Sequence, residues 1–209
     1  EHGFKAMAPC DIMDEHEEMD LPVQNGFHLD KDIVGKNFAN YDSVLVLSHF
    51  KGHAMAGLGG ALKNISIGIA STQGKAYIHT AGVTTDAAEL WSKLPPQDHF
   101  LESMADACQA IIAYKGAENM VYINVANRLS VDCDCSANPA EPEMADLGIF
   151  ASLDPVAVDQ ACYDAVLNSP DPGKKALIER MESKHGIHTV EAAAQLGLGN
   201  REYEIVSLD

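Results

Sequence analysis

The sequence predicts an α/β protein: a layered α/β/α domain around a central, mostly parallel sheet, with residues 1–209 forming one unit. Three observations predict it. Short apolar runs at 43–48 and 120–125 each end in a polar cluster, amphipathic helical stretches stand between them, and an Asp-Pro helix start follows a further apolar run at 146–152. At 209 residues and 46% hydrophobic content, the chain is long enough to bury one core.

The elements follow in order. Asp11, Asp14, Glu15, Glu17, Glu18 and Asp20 fall in a stretch without lysine or arginine, which reads as a solvated surface segment. Tyr41-Asp42 leads into the strand at 43–48, whose unbroken apolar character predicts burial on both faces. Residues 55–70 are small and apolar, with Gly57, Gly59 and Gly60 near the start. Gln97 to Tyr114 reads as a helix, because Phe100, Leu101, Met104, Ala107, Cys108, Ile111 and Ile112 share one stripe. A strand at 120–125 and another at 146–152 come next. Asp154 then caps a helix with Pro155 in its first turn, running to about Leu167 and burying Val158, Ala161, Cys162 and Ala165. Ser169-Pro-Asp-Pro-Gly173 stops it, shorter helices follow near 174–184 and 189–196, and Tyr203 to Ser207 reads as a terminal strand. There is no internal repeat, low-complexity tract or linker.

The net charge of −17 leaves no basic stripe for phosphates and excludes nucleic acid as a partner. No apolar run approaches the roughly 20 residues that span a bilayer, so no membrane partner is expected. No signal peptide is visible, although a start at Glu1 without methionine leaves room for processing. Five cysteines, an odd number without scaffold spacing, suit a reducing compartment, so a cytoplasmic location is expected.

Two polar clusters carry the chemistry. Ser48-His-Phe-Lys-Gly-His53 follows the first apolar run, where ligands of open α/β sheets bind beyond the carboxyl ends of strands. His49 and His53 share a face in either a strand or a helix, and Lys51 joins them only in a strand. Gly59, Gly60, Lys63 and Asn64 are candidate ligand-binding residues, through backbone N–H groups or the lysine charge. Their spacing fits neither the dinucleotide fingerprint nor the P-loop, and close backbone packing is the plainer role for the glycines.

The second cluster is Asp132-Cys-Asp-Cys135. In a flat strand its two Cβ atoms stand about 6.6 Å apart, from two rises of 3.3 Å. Thiolates sharing a tetrahedral zinc sit about 3.8 Å apart, so chelation requires a bend. Without a cation or Lys51 nearby, the neighbouring carboxylates would raise the thiol pKa. Cys108 and Cys162 fall on buried helix faces, Cys10 is undecided, and His185 and His188 read as a helix cap or surface pair.

These residues resemble the domain-of-unknown-function 362 family, whose members are often labelled iron–sulfur-centre proteins. The resemblance rests on Ser48–His53, Gly59–Asn64, Asn124–Cys135, Ala140–Glu143 and Asp154–Cys162, and extends through Lys184–His188 and Leu196–Gly199. Many relatives carry a ferredoxin-like insertion after the segment matching Lys63-Asn64; here 71–79 holds no cysteine, so no four-iron cluster motif is present. Relatives start earlier, which implies that an N-terminal portion of the fold precedes this segment in them.

Three functions fit. The leading one is a site for a metal or an anionic ligand with redox-associated chemistry. In it His49, His53, Cys133 and Cys135 are ligands to a transition metal (zinc or iron), and Lys51, Asp132 and Asp134 are the candidate catalytic groups. The second is a non-metal enzyme acting on a phosphorylated or carboxylated metabolite. The third is a non-catalytic module docking an electron-transfer protein. The distance between the two clusters decides among them.

Overall fold

Residues 3–208 are described by the computed structural model. A short helical turn, α1 (Phe4–Met7), precedes an antiparallel hairpin of β1 (Glu18–Pro22) and β2 (Lys31–Gly35). The acidic stretch lies at the surface as expected. It is also tied down, because Glu17 pairs with Lys36 at 2.6 Å, Asp20 with Lys31 at 2.7 Å, and Asp11 accepts from Asn37 and Tyr41.

The first predicted strand is β3 (Val44–His49). The chain then breaks direction at fully buried Phe50 and makes a small antiparallel pair, β4 (Lys51–His53) with β5 (Gly57–Gly59). Next come α2 (Ala61–Lys63), continued by a π-helical turn over Asn64–Gly68, and α3 (Thr72–His79).

The long helix α4 (Gln97–Lys115) buries Phe100, Leu101, Met104, Ala107, Cys108 and Ile111, the stripe that its apolar spacing predicts. Gly116, at φ 83°, ends it. Strand β6 (Met120–Ala126) and strand β7 (Gly148–Ser152) follow. Helix α5 (Pro155–Asn168) starts as expected, with the Asp154 carboxylate accepting from Val156 N and Ala157 N at 2.8 and 2.9 Å. The last helices are α6 (Lys174–Ser183) and α7 (His188–Gln195).

The chain is α/β, but its sheet corrects the expectation of a mostly parallel one. β3 pairs parallel with β6, and β7 joins β6 antiparallel, giving the order β3-β6-β7. Helices cover one face, where Val46, Met120 and Tyr122 are buried among residues of α4 and α5. The other face presents Leu45, Leu47, Val121 and Ile149, which are 63%, 61%, 40% and 71% exposed. The strand at 43–48 is therefore buried on one face rather than both. Tyr203 to Ser207 is not a strand either; it runs without ladder pairing beside β7 and α5, anchored by a 2.8 Å hydrogen bond from Tyr203 Oη to Asp164. Among the described residues, no helix is long and apolar enough to cross a membrane.

Candidate functional site

Parallel pairing of β3 with β6 brings the ends of both strands to one edge, with His49 opposite Val125. The two polar clusters emerge there, and a glycine lets them touch. Gly52 N donates to Ser130 O at 2.8 Å, and a Cβ on Gly52 would lie 2.3 Å from Val131 O. No other residue allows the segment leading to the cysteines to lie against β4 this closely.

Beyond that contact the backbone bends. Ser136 N donates to Cys133 O, and Cys135 N points at Cys133 Sγ at 3.4 Å. The loop is closed by Asp132, which accepts from Ala140 N at 3.1 Å and from Arg180 at 3.0 Å, while Arg180 also donates to Val131 O. The bend that the Cys-x-Cys geometry demands is present. One ring nitrogen of His53 and the two thiol sulfurs all lie within 4.8 Å of one another.

The rest of the site divides around this group. His49 turns its Nδ1 to both Asp134 oxygens at 2.9 Å and its Nε2 to Asn127 O at 2.7 Å, and it stands outside the group formed by His53 and the two thiols. Asp134 also faces Lys51 Nζ at 3.8 Å. Thus Asp134 and Lys51 stand together, whereas Asp132 is engaged in holding the loop. His49 and His53, predicted to share a face, are parted by the turn at Phe50.

The surroundings set the protonation of the group. Burial, followed by the charges of Lys63 and Lys51, pushes His53 down to about 3, so its ring is neutral. Its Nδ1 accepts from Met55 N and Ala56 N at 3.1 and 3.0 Å, which places the single ring proton on Nε2. Burial pushes the Cys133 thiol up, but hydrogen bonding from Cys135 and the charges of Lys51 and Lys63 outweigh it and hold it below the usual range. Cys135, which donates that bond, is pushed up. Burial lowers Lys63. The proton of the pair is thus favoured on Cys135 over Cys133, and the lysines offset the neighbouring carboxylates.

Gly59, Gly60, Lys63 and Asn64 line a cleft of about 340 Å³ with Lys51, Lys75, His49 and Asp134. A second cleft of about 400 Å³ lies beyond His49 and Asp134, lined by Arg128, Ser130 and Glu141 among others. The α2 N-terminus does not offer its amides to either cleft. Ala61 N and Leu62 N donate to Asp159, a fully buried carboxylate at 2.7 and 2.9 Å that Asn124 also bonds at 2.7 Å. Gly60 is glycine because a Cβ there would meet Asp159 Oδ1 at 2.3 Å. The anion at this helix end is the protein's own, so any cleft ligand meets lysines instead. Burial raises Asp159 to about 6.

Asp159, Arg180 and Lys75 were not singled out from sequence. Asp159 falls within the Asp154–Cys162 motif and was available as a signal; Arg180 reaches the loop from 48 residues away and had none.

An iron–sulfur cluster of four thiolates does not fit this donor set. Only Cys133 and Cys135 converge, while Cys108 and Cys162 are buried in the core and Cys10 is exposed elsewhere. No curated protein and no solved structure matches the chain. The family described as Domain of unknown function (DUF362) matches residues 1–164, and on that extent the chain belongs to it.

Proposed function

We propose that the protein binds a small anionic ligand, a carboxylate or phosphate, in the lysine-lined cleft and presents it beside the Cys133 thiolate for redox-associated thiol chemistry. One observation carries this reading. In a chain of net charge −17, Lys51, Lys63 and Lys75 line one cleft against a single carboxylate, Asp134. Such a local reversal of sign concentrates anions where the rest of the surface repels them. Lys51 and Lys63 act twice, on the ligand and on the thiolate. Neutral His53 carries its proton on Nε2, and one of its ring nitrogens lies within 4.8 Å of both thiols. Free thiols of this kind suit a reducing, cytoplasmic setting.

A second reading, a zinc or iron ion held by Cys133 and Cys135, is favoured by the convergence of sulfur and nitrogen within 4.8 Å. His53 weakens it as a third ligand. A ring bound through Nε2 must carry its proton on Nδ1, where two backbone N–H groups already point.

Calorimetric titration with inorganic phosphate and with succinate tests the first reading. Saturable binding is expected, weakened at least tenfold in Lys51→Met/Lys63→Met. Absence of binding by both anions at millimolar concentration, or equal binding by that variant, overturns it. Metal analysis of anaerobically purified protein separates the second: one equivalent of zinc or iron, lost in Cys133→Ser/Cys135→Ser, would put the metal reading first.

A further inference from the structure

We propose that His28, His99 and Glu102, with His188 as a fourth donor, form a binding site for a divalent transition-metal ion of nitrogen–oxygen preference, such as zinc or nickel, separate from the thiol site. One ligating atom from each of His28, His99 and Glu102 lies within 4.8 Å of the others. Glu102 uses both oxygens: Oε2 faces His28 Nε2 at 2.5 Å and Oε1 faces His188 Nε2 at 3.1 Å. Four donors of this type, three imidazoles and a carboxylate, match the preferences of zinc, nickel and copper.

Each donor is held in place by something other than a metal. Glu102 and His99 lie one turn apart on α4. One further turn along, the buried Asp106 carboxylate accepts from Phe27 N, His28 N and Leu29 N at 2.8, 2.8 and 2.9 Å, which pins the loop carrying His28 over the helix. Gly26 permits that approach, since a Cβ there would lie 2.9 Å from Asp106 Cγ. The His28 and His99 rings lie with centroids 4.4 Å apart, tilted by 30°.

The far nitrogen of His188 has the right neighbour. Its Nδ1 faces the Glu191 carboxylate at 3.6 Å, and Arg201 holds Glu191 at 3.0 Å. A carboxylate behind the ring accepts the Nδ1 proton and frees Nε2 for a cation, the arrangement found behind metal-bound histidines. At His53 the corresponding nitrogen meets N–H donors, so the same ring chemistry is opposed. The ligands also come from three separated segments: the loop after β1, α4, and the start of α7. An ion there would staple those segments together and stabilise the fold with the logarithm of its concentration over its dissociation constant.

The test uses the full chain, stripped of metal, in a Cys133→Ser/Cys135→Ser background that silences the thiols. Titration with Zn(II) should give one equivalent bound and a rise in melting temperature. His99→Asn and Glu102→Gln should each weaken binding at least tenfold. Cu(II) in the same site should show electron paramagnetic resonance splitting from several imidazole nitrogens, reduced in His99→Asn. His99 is exposed, so that variant decides the matter even if Glu102→Gln folds poorly. No stoichiometric Zn(II) in the thiol-free background, or binding indifferent to His99→Asn, overturns the proposal.

Discussion

His53 and His188 are both largely enclosed imidazoles beside potential ligands, yet what stands behind each ring differs. Behind His53 are the Met55 and Ala56 amides; behind His188 is the Glu191 carboxylate. The first ring is fixed as a donor on Nε2 and suits a thiolate or an anionic ligand. The second can surrender Nε2 and suits a cation. The two clusters share a deeper design, because each rests on a buried aspartate that gathers backbone N–H groups. Asp159 gathers Ala61 and Leu62 beneath the lysine cleft, and Asp106 gathers Phe27, His28 and Leu29 beneath the histidines. A shared support and an opposite polarity of the far nitrogen teach that donor type alone does not identify a metal site.

That comparison can be broken at its supports. The largest effect is expected from Asp106→Ala, which strips three N–H groups of a charged acceptor at once. Denaturant unfolding should show a loss of about 4 kcal/mol, and Zn(II) binding at His28 should vanish while Cys133 alkylation is unchanged. Gly52→Ala is the mirror experiment. Its Cβ would lie 2.3 Å from Val131 O, so the loop bearing the cysteines must move. A loss of about 2 kcal/mol is expected, with altered alkylation at Cys133 and intact Zn(II) binding.

A smaller change sharpens the chemistry of the thiol side. Lys51→Met/Lys63→Met removes the charges that hold Cys133 low. Its iodoacetamide alkylation at pH 7 should slow, because the thiol then ionises less readily. The remaining effect is a slope. Asp159 is raised from 3.8 to about 6 in the folded protein, so the folded state holds its proton more tightly than the unfolded one. The carboxyl is protonated in both states below about 4 and ionised in both above about 6. Between these limits stability should fall as pH rises, by about 3 kcal/mol in all. Asp159→Asn should flatten this part of the urea-midpoint profile; an identical profile in the variant would rule out Asp159 as its source.

Local signals were the legible part of this chain. The apolar stripe of α4 and the Asp154-Pro155 start of α5 are written within a few residues of one another, and the structure follows them closely. The demand for a bend at Cys133–Cys135 was equally local, a matter of strand rise against sulfur separation, and the bend is there. What could not be read was set by distant partners. The need for glycine at position 52 is set by Val131, far along the chain. His28 and Glu102 meet across 74 residues, and Asp159 answers Gly60 from the far side of the chain. The apolar run of β3 gave no hint that Leu45 and Leu47 would face outward, because burial on one face or two depends on what packs against the sheet. The terminal strand failed for the same reason: Tyr203 to Ser207 has strand-like residues but no ladder to join.

The bare face of the sheet has a colloidal consequence. Leu45, Leu47, Val121 and Ile149 form a flat, greasy patch on a molecule whose surplus of seventeen negative charges keeps copies apart. Long-range repulsion and short-range stickiness thus oppose each other in dilute solution. Salt shortens the reach of the repulsion, to about 3 Å at 1 M, and leaves the patch as adhesive as before. Dispersion of this chain is therefore an electrostatic property, and light scattering that climbs with ionic strength would be its signature.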